Sequence, residues 1–402
     1  MTDIAVLGIG RGGISVGARA LLDHAELVVG GGRHLLDFGV EAERALALQG
    51  DLSEALDRIE KTEGSVAVLA SGDPGFFGIV RILAERFGPK NLLVLPALSA
   101  VSEAFARAGI PWDDALIVSA HGRDPRRAVN VCRAHPKVAV LTSPVFGPAE
   151  LAGALEGFGR SFVVAERLGE PDERMHEGDA AQVARMSWKD PNTVVVYDAT
   201  RAVGKKGWIS GYSETRGRWA LPQGEFAHRS GMITKPEVRA LVLARLGPGP
   251  GDLVWDVGAG SGSVAVECAR FGAAAMAVER EWESCDRIRE NASRHGAYVQ
   301  VVHGEAPEAL HKLPEPDAVF VGGTGENFEE ILKGAAVRAR RCVVLTLITL
   351  ERVVPAAEIL EGCGLSVETT FLQASRIKGV GQLHRLAAET PVFVVAGRRG
   401  ES

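Results

Sequence analysis

The chain has 402 residues, enough for two or three domains of ordinary size. Its 46% hydrophobic and 24% charged residues exclude wholesale disorder, and its 48 glycines lack the G-X-Y period of collagen. Lys and Arg number 45 against 51 Asp and Glu, and the resulting charge of −6 argues against a dedicated nucleic-acid binder while leaving room for a local basic patch.

The opening MTDIAVLGIG has no basic n-region and meets a glycine turn at Gly8, so it reads as a first β-strand rather than a signal peptide. The longest apolar run, 342–350, is far shorter than the roughly 18 residues of a membrane span. The expectation is a cytoplasmic protein with no membrane partner. Cys132, Cys268, Cys285, Cys342 and Cys363 are odd in number and show no C-x-x-C spacing. They read as buried reduced thiols, with no disulfide framework and no metal site.

In chain order, strands are predicted over 4–7, 27–29, 66–70, 92–95, 116–119, 138–141, 162–165 and 194–197. Helices are predicted between them over 55–61, 78–87, 100–108 and 125–133. This alternation means an α/β architecture with mainly parallel sheets. Roughly 200 residues is long for one such layer, so a split near 111–114 into two lobes is expected. Residues 201–229 mix glycine, basic and aromatic residues without a period and read as a linker. A fresh α/β pattern follows, with helices over 237–246, 263–271 and 282–295. Its strands fall at 252–256, 275–279, 299–303, 317–321, 341–346, 365–371 and 391–396.

The sharpest signal is LVWDVGAGSGSVAVE, residues 253–267. A buried strand ends at Asp256, and Gly258, Gly260 and Gly262 lead into a helix. Such glycines let backbone approach a ligand closely. The next strand ends in Glu279, about 20 positions on, where an acid can accept hydrogen bonds from both ribose hydroxyls of an adenosine cofactor. Gly304, Glu305 and Ala306 follow another strand, where an adenine could lie. The fourth strand runs into Gly322 and Gly323, which offer no amide or carboxylate and leave space for a bulky planar substrate. Glu326 and Asn327 read as a helix cap rather than catalysts. Upstream, Thr234 is expected to cap a helix with Glu237 as its capping-box partner. Lys235 and Arg239, one turn apart, are candidates for pairing with substrate carboxylates.

In the first half, Gly8, Gly10 and Gly13 formally match G-x-G-x-x-G. No acid ends a strand about 20 residues later, which disfavours a dinucleotide site. Gly13-Ile-Ser15-Val-Gly17 formally matches a nucleophile elbow but lacks a downstream acid and histidine set, so Ser15 is assigned to a helix cap. A more specific run is Ser71-Gly72-Asp73-Pro74-Gly75 after a strand, although Asp-Pro-Gly is turn chemistry by itself. Pro96 to Ala100, with Ser99, and Ser119 to Arg123, with His121, also follow strands. Their loops are expected to converge at one sheet edge.

Three loops in the C-terminal order resemble class I S-adenosylmethionine methyltransferases. G-x-G near the start, GDPxxxG and P-A-x-S resemble the tetrapyrrole methylases, the class III enzymes. SAHGR is similar to their branch that methylates carbon 5 of the precorrin macrocycle. ITKxEVRAL, WDVGAGSGSVAVE and FVGGTG resemble the partner branch that methylates carbon 15 and decarboxylates. Fused in this order, the two halves resemble the decarboxylating precorrin-6Y methyltransferase family. Arg11 and Pro236 depart from the family pattern; Pro236 suits a first helical turn.

The resemblance implies an N-terminal bilobed tetrapyrrole methylase fold over 1–200, lobes about 1–112 and 113–200. It also implies a C-terminal Rossmann-like class I methyltransferase fold over 230–402. It implies one S-adenosylmethionine site per domain. Gly8, Gly10, Gly72, Asp73, Pro74, Ser99 and Ala100 would form the first. Thr234, Asp256, Gly258, Gly260, Gly262, Glu279, Gly304, Glu305, Ala306, Gly322 and Gly323 would form the second. The implied substrate is a precorrin, a reduced tetrapyrrole with multiple carboxylates, for which His121, Arg123, Lys205, Lys206, Arg229, Lys235 and Arg239 are positioning candidates. No catalytic dyad stands out, as alignment and water exclusion can carry methyl transfer to an enamine-like carbon. A homo-oligomer is a family expectation. The rival readings are an RNA methyltransferase and a non-catalytic tetrapyrrole carrier.

Overall fold

A computed structural model describes residues 3–48, 52–204, 210–211, 218–229, 233–323 and 325–400. The chain divides into two compact units. The first holds residues 1–123, 139–153 and 160–208; the second holds 124–138, 154–159 and 209–402. The architecture is α/β throughout.

The first unit opens with β1 (Ile4–Ile9), α1 (Val16–His24), β2 (Leu27–Gly30), α2 (Gly32–Asp37), β3 (Ala45–Ala47) and α3 (Ser53–Lys61). It continues with β4 (Val66–Ser71), α4 (Val80–Phe87), β5 (Leu92–Leu95) and α5 (Ala100–Ala108). The sheet runs β3-β2-β4-β1-β5, and every pair is parallel. β1, β2 and β4 are buried along most of their length because helices cover both faces, so they read as continuous apolar runs. As expected, Ser15 caps α1, its hydroxyl accepting from Ala18 N at 3.3 Å. Ser99 caps α5 in the same way, accepting from Ser102 N at 3.1 Å.

The chain then enters a second sheet. It comprises β6 (Leu116–Ser119), α6 (Arg126–Ala134), β7 (Lys137–Leu141), α7 (Pro148–Gly153), β8 (Ser161–Glu166), β9 (Arg174–Asp179), α8 (Ala180–Ala184) and β10 (Asn192–Tyr197). Strand order is β6-β7-β10-β8-β9, with antiparallel pairing of β10 with β8 and of β8 with β9. α6 belongs to the second unit, where Asn130 Nδ2 donates to Gly251 O at 3.1 Å and Arg126 pairs with Asp317 at 2.5 Å.

The second unit adds α9 (Pro236–Leu246), β11 (Leu253–Val257), α10 (Ser263–Arg270), β12 (Ala274–Glu279), α11 (Trp282–Arg294), β13 (Val299–His303) and β14 (Ala318–Val321). It ends with α12 (Phe328–Arg338), β15 (Cys342–Leu347), α13 (Val353–Gly362), β16 (Ser366–Leu372), β17 (Ser375–Val380), β18 (Leu383–Ala388) and β19 (Val392–Arg398). Its sheet runs β13-β12-β11-β14-β15-β19-β16, parallel through β15 and antiparallel at β19 and β16. The chain leaves β11 toward β12 on one side and returns to β14 on the other. This reversal opens a crevice at the carboxyl ends of β11 and β14, the usual ligand position in such sheets.

The segment read as a linker is in part structure. Leu221 and Phe226 are buried against Val266 and Ala292, and Asn291 both donates to and accepts from the Ala227 backbone. No described helix is long and apolar enough to cross a membrane. Cys268, Cys285, Cys342 and Cys363 are free thiols.

Candidate functional site

In the second unit, the β11 turn is built by close backbone approach. Gly258 has φ +69°, and a Cβ there would lie 2.4 Å from Gly323 O, so a side chain would push the β11 and β14 loops apart. These two loops border a cavity of about 810 Å3. Gly258, Gly260, Gly322, Gly323, Thr234 and Lys235 from the sequence reading all line it. Its other wall is apolar, with Phe320, Leu345, Leu347, Ile348 and Val392. Two cations, Lys235 and Arg352, and no carboxylate are among the described lining residues.

Two acids hold the turn from behind. Asp256 Oδ2 accepts from Ala265 N in the first turn of α10 at 2.9 Å, while its buried Oδ1 has no hydrogen-bond partner among the described residues. Burial first, and the Glu279 charge in addition, push the Asp256 carboxyl up to about 7, against the lowering effect of the Ala265 N–H. Glu279 Oε2 accepts from Gly260 N at 2.8 Å and Oε1 from Glu281 N at 2.9 Å. Each oxygen keeps a lone pair for a further donor. Glu279 thus also braces the glycine loop, a role its position alone did not reveal. Gly304 N donates to Glu279 O at 3.0 Å, and Glu305 pairs with Arg280 at 3.4 Å. Gly304, Glu305, Ala306, Asp256, Gly262 and Glu279 lie outside the cavity lining itself.

Three expectations upstream are corrected. Thr234 is not the helix cap: with Pro236 at the first helical position, Lys235 occupies the cap and makes no side-chain capping bond. Glu237 pairs instead with Arg376 at 2.7 Å. Arg239 cannot meet substrate carboxylates, because its side chain is 0% exposed and already engaged. It pairs with Glu267 at 2.6 Å, donates to Thr234 O at 2.6 Å and to Leu221 O, and lies over the Phe226 ring. Lys235 does face the cavity, its Nζ donating to Gln223 Oε1 at 2.9 Å. Asn327 stands at the cap position of α12, as expected, without a side-chain capping bond.

In the first unit, β1, β4 and β5 end together. A Cβ on Gly8 would lie 2.3 Å from Gly72 O and 2.4 Å from Ala97 N, so only glycine lets the three loops meet. Gly10, Gly72 and Ala100 line a cavity of about 200 Å3 with Arg11, Arg33, His34, Ser71, Glu103 and Glu170. Arg33 on α2 pairs with Glu170, beyond β8, at 3.0 Å. Asp73 Oδ1 accepts from Gly75 N at 2.8 Å, making the turn that its sequence allowed. Gly8, Asp73, Pro74 and Ser99 shape the loops without lining the cavity, and exposed His121 and Arg123 lie outside its lining. Arg229 is exposed. Lys205 and Lys206 lie outside the described residues. Arg33, His34 and Arg352 were missed by sequence reasoning; an Arg-His pair directly after three glycines at a strand end was the available signal for Arg33 and His34.

Residues 3–184 match the model of the tetrapyrrole (corrin/porphyrin) methylases, and residues 225–398 match that of a precorrin methyltransferase domain. A precorrin-6Y C(5,15)-methyltransferase [decarboxylating] from Sinorhizobium is 38% identical over 351 residues, covering 84% of this chain and 81% of that protein. The chain belongs to the decarboxylating precorrin-6Y C(5,15)-methyltransferase family. A Mycobacterium tuberculosis protein of the same name is 36% identical over 331 residues, with 80% of each covered. A crystal structure of precorrin-6Y C5,15-methyltransferase from Geobacter metallireducens aligns at 33% identity and TM-score 0.43, covering 45% of this chain and 97% of that one.

Family membership makes the chain a methyltransferase that uses S-adenosylmethionine. The residues at hand suit that molecule. The unpartnered Asp256 Oδ1 and the spare lone pairs of Glu279 would be able to accept from ammonium and hydroxyl donors. The glycine backbone at 258–260 and the amino end of α10 favour a carboxylate.

Proposed function

We propose that the chain methylates two carbons of one poly-carboxylated precorrin, carbon 5 in the first unit and carbon 15 in the second, where an acetate side chain also loses carbon dioxide. Each unit has its own S-adenosylmethionine site. Gly8, Gly10, Gly72 and Ala100 would hold the donor in the first; Asp256, Gly258, Gly260 and Glu279 would hold it in the second.

The observation that carries this reading is the lining of the second cavity. Glycine backbone forms one side, apolar side chains another, and Lys235 and Arg352 stand at its border with no acid among the described lining residues. A flat conjugated molecule with carboxylates on its rim suits such a surface: the ring meets Phe320, Leu345, Leu347 and Val392, and its carboxylates meet the cations. When bound, the donor supplies an electrophilic methyl group. The protein's own work is to align the nucleophilic carbon and exclude water, each able to supply several kcal/mol. An acetate placed against the apolar wall, away from the cations, is poorly solvated, which favours its departure as neutral carbon dioxide while the electron pair of the broken carbon–carbon bond passes into the conjugated ring system.

The test is incubation of the full chain with S-adenosylmethionine and candidate precorrins, with methyl groups and released carbon dioxide counted by mass spectrometry. Two methyl groups and one carbon dioxide per macrocycle are expected. One methyl group, or methylation of RNA in a parallel incubation with no precorrin turnover, would overturn the reading.

A further inference from the structure

The first unit contains a titratable pair that positions a hydroxyl at the cavity. His34 is the third residue of α2, following Gly32 and Arg33. Its Nε2 is 3.1 Å from the Ser71 hydroxyl, at the last position of β4 and next to Gly72. Ser71 is exposed, and both residues line the cavity with Gly10, Gly72 and Ala100. His34 Nδ1 is buried and has no hydrogen-bond partner among the described residues.

The charged groups around the ring come from several elements. Burial first, then Arg33, hold the imidazole below its ordinary 6.5, while Asp37 and Glu170 oppose them. Arg11 and Glu103 are the other charged residues lining the cavity. A neutral imidazole beside an exposed hydroxyl can receive a proton through that hydroxyl.

We propose that Ser71, backed by His34, carries away the proton released when a meso carbon is methylated in the first unit; this rests on the reading of that unit as the carbon 5 methyltransferase. Substitution at a =CH– carbon forms a carbon–carbon bond to the transferred methyl as the donor's carbon–sulfur bond breaks with its electron pair left on sulfur, and then breaks the carbon–hydrogen bond. The electron pair of that bond returns to the conjugated ring system. Its proton passes to the Ser71 oxygen while the hydroxyl proton moves to His34 Nε2, and the imidazolium discharges to solvent before the next turnover. Ser71 touches the substrate; His34 acts through it as a positioning and proton-storing residue.

The experiment uses the full chain with S-adenosylmethionine and the precorrin, with the rates of carbon 5 and carbon 15 methylation resolved by NMR of the product. H34Q and S71A each slow carbon 5 methylation roughly a hundredfold with little change in KM, the usual scale for losing a positioned proton acceptor. Carbon 15 methylation keeps its wild-type rate in both, which also reports that each variant folds. The wild-type carbon 5 rate declines at acid pH as the imidazole protonates, and H34Q lacks that decline. Imidazole NMR titration of the free protein places His34 below 6.5, and S71A moves it. Wild-type carbon 5 methylation combined with an unchanged rate in H34Q, or a slowed rate that keeps the acid limb, overturns the proton path alone. A wild-type chain that leaves carbon 5 unmethylated overturns the reading of the unit and the path with it.

Discussion

Arg239 and Glu267 form an ion pair at 2.6 Å with both side chains sealed from solvent. Glu267 also accepts from Ala220 N and Leu221 N, and Arg239 donates to Leu221 O and Thr234 O. The pair therefore fixes the segment ahead of α9 against α10 and sets the backbone of Thr234, which lines the cavity. Burial lowers the Arg239 pKa, and Glu267 opposes that shift. Removing one partner leaves a buried charge uncompensated, which costs about 3–5 kcal/mol. R239M should lower the urea midpoint of the second unit accordingly, read by its tryptophan fluorescence. An unchanged midpoint would show that the pair holds nothing.

The two-site reading predicts a clean division between glycine variants. G258A places a Cβ 2.4 Å from Gly323 O at a positive φ, and G8A places one 2.3 Å from Gly72 O. Calorimetric titration of the wild-type chain with S-adenosylmethionine should give two sites and each variant one. G258A should lose carbon 15 methylation and keep carbon 5, with the reverse for G8A. A variant that loses both activities equally would defeat the proposed independence of the sites.

What was legible in the sequence follows from physics at the strand ends. Buried strands such as Leu253–Val257 appear as apolar runs, and a glycine cluster after them marks close backbone approach. Side-chain direction is less legible. Arg239 and Lys235 are one turn apart, yet one is buried under the preceding segment and the other faces the cavity. Residue type alone does not separate a substrate contact from a structural pair. The β17–β18 hairpin escaped notice because its strands are exposed along nearly their whole length, so no buried face imposes alternation. The cap of α9 moved by one residue because Pro236 fixes the first helical position. His34 lies on a six-residue helix, too short to show a helical period.

Asp256 makes stability depend on pH. Its carboxyl ionises near 3.8 in an unfolded chain and about 7 in the folded one, so folding takes up a proton between those values. Its contribution is present below pH ~4 and lost as pH rises through about 7. D256N stays neutral at every pH and can still accept from Ala265 N. The wild-type stability minus that of D256N should therefore fall by an amount on the order of a few kcal/mol between pH 4 and 8. Chemical denaturation of both proteins across this range measures the difference. A difference that stays flat would mean that Asp256 is ionised in the folded state throughout.

Arg352 is the cation whose role in substrate reading is most open to test. It lines the second cavity, and its guanidinium is oriented by donation to Gly325 O at 3.1 Å and by the Phe328 ring beneath it. A charge-assisted contact to a precorrin carboxylate contributes about 1.5–3 kcal/mol. R352Q should then raise KM for the precorrin at least roughly tenfold in carbon 15 methylation, while the affinity for S-adenosylmethionine stays as it was. R352K keeps the charge but not the planar fork and should recover only part of the loss. Carbon 5 methylation should be untouched in both variants, because Arg352 belongs to the second unit. If R352Q shows the wild-type KM for precorrin and K235Q does too, substrate carboxylates are held elsewhere and the cavity's charge pattern does not select them.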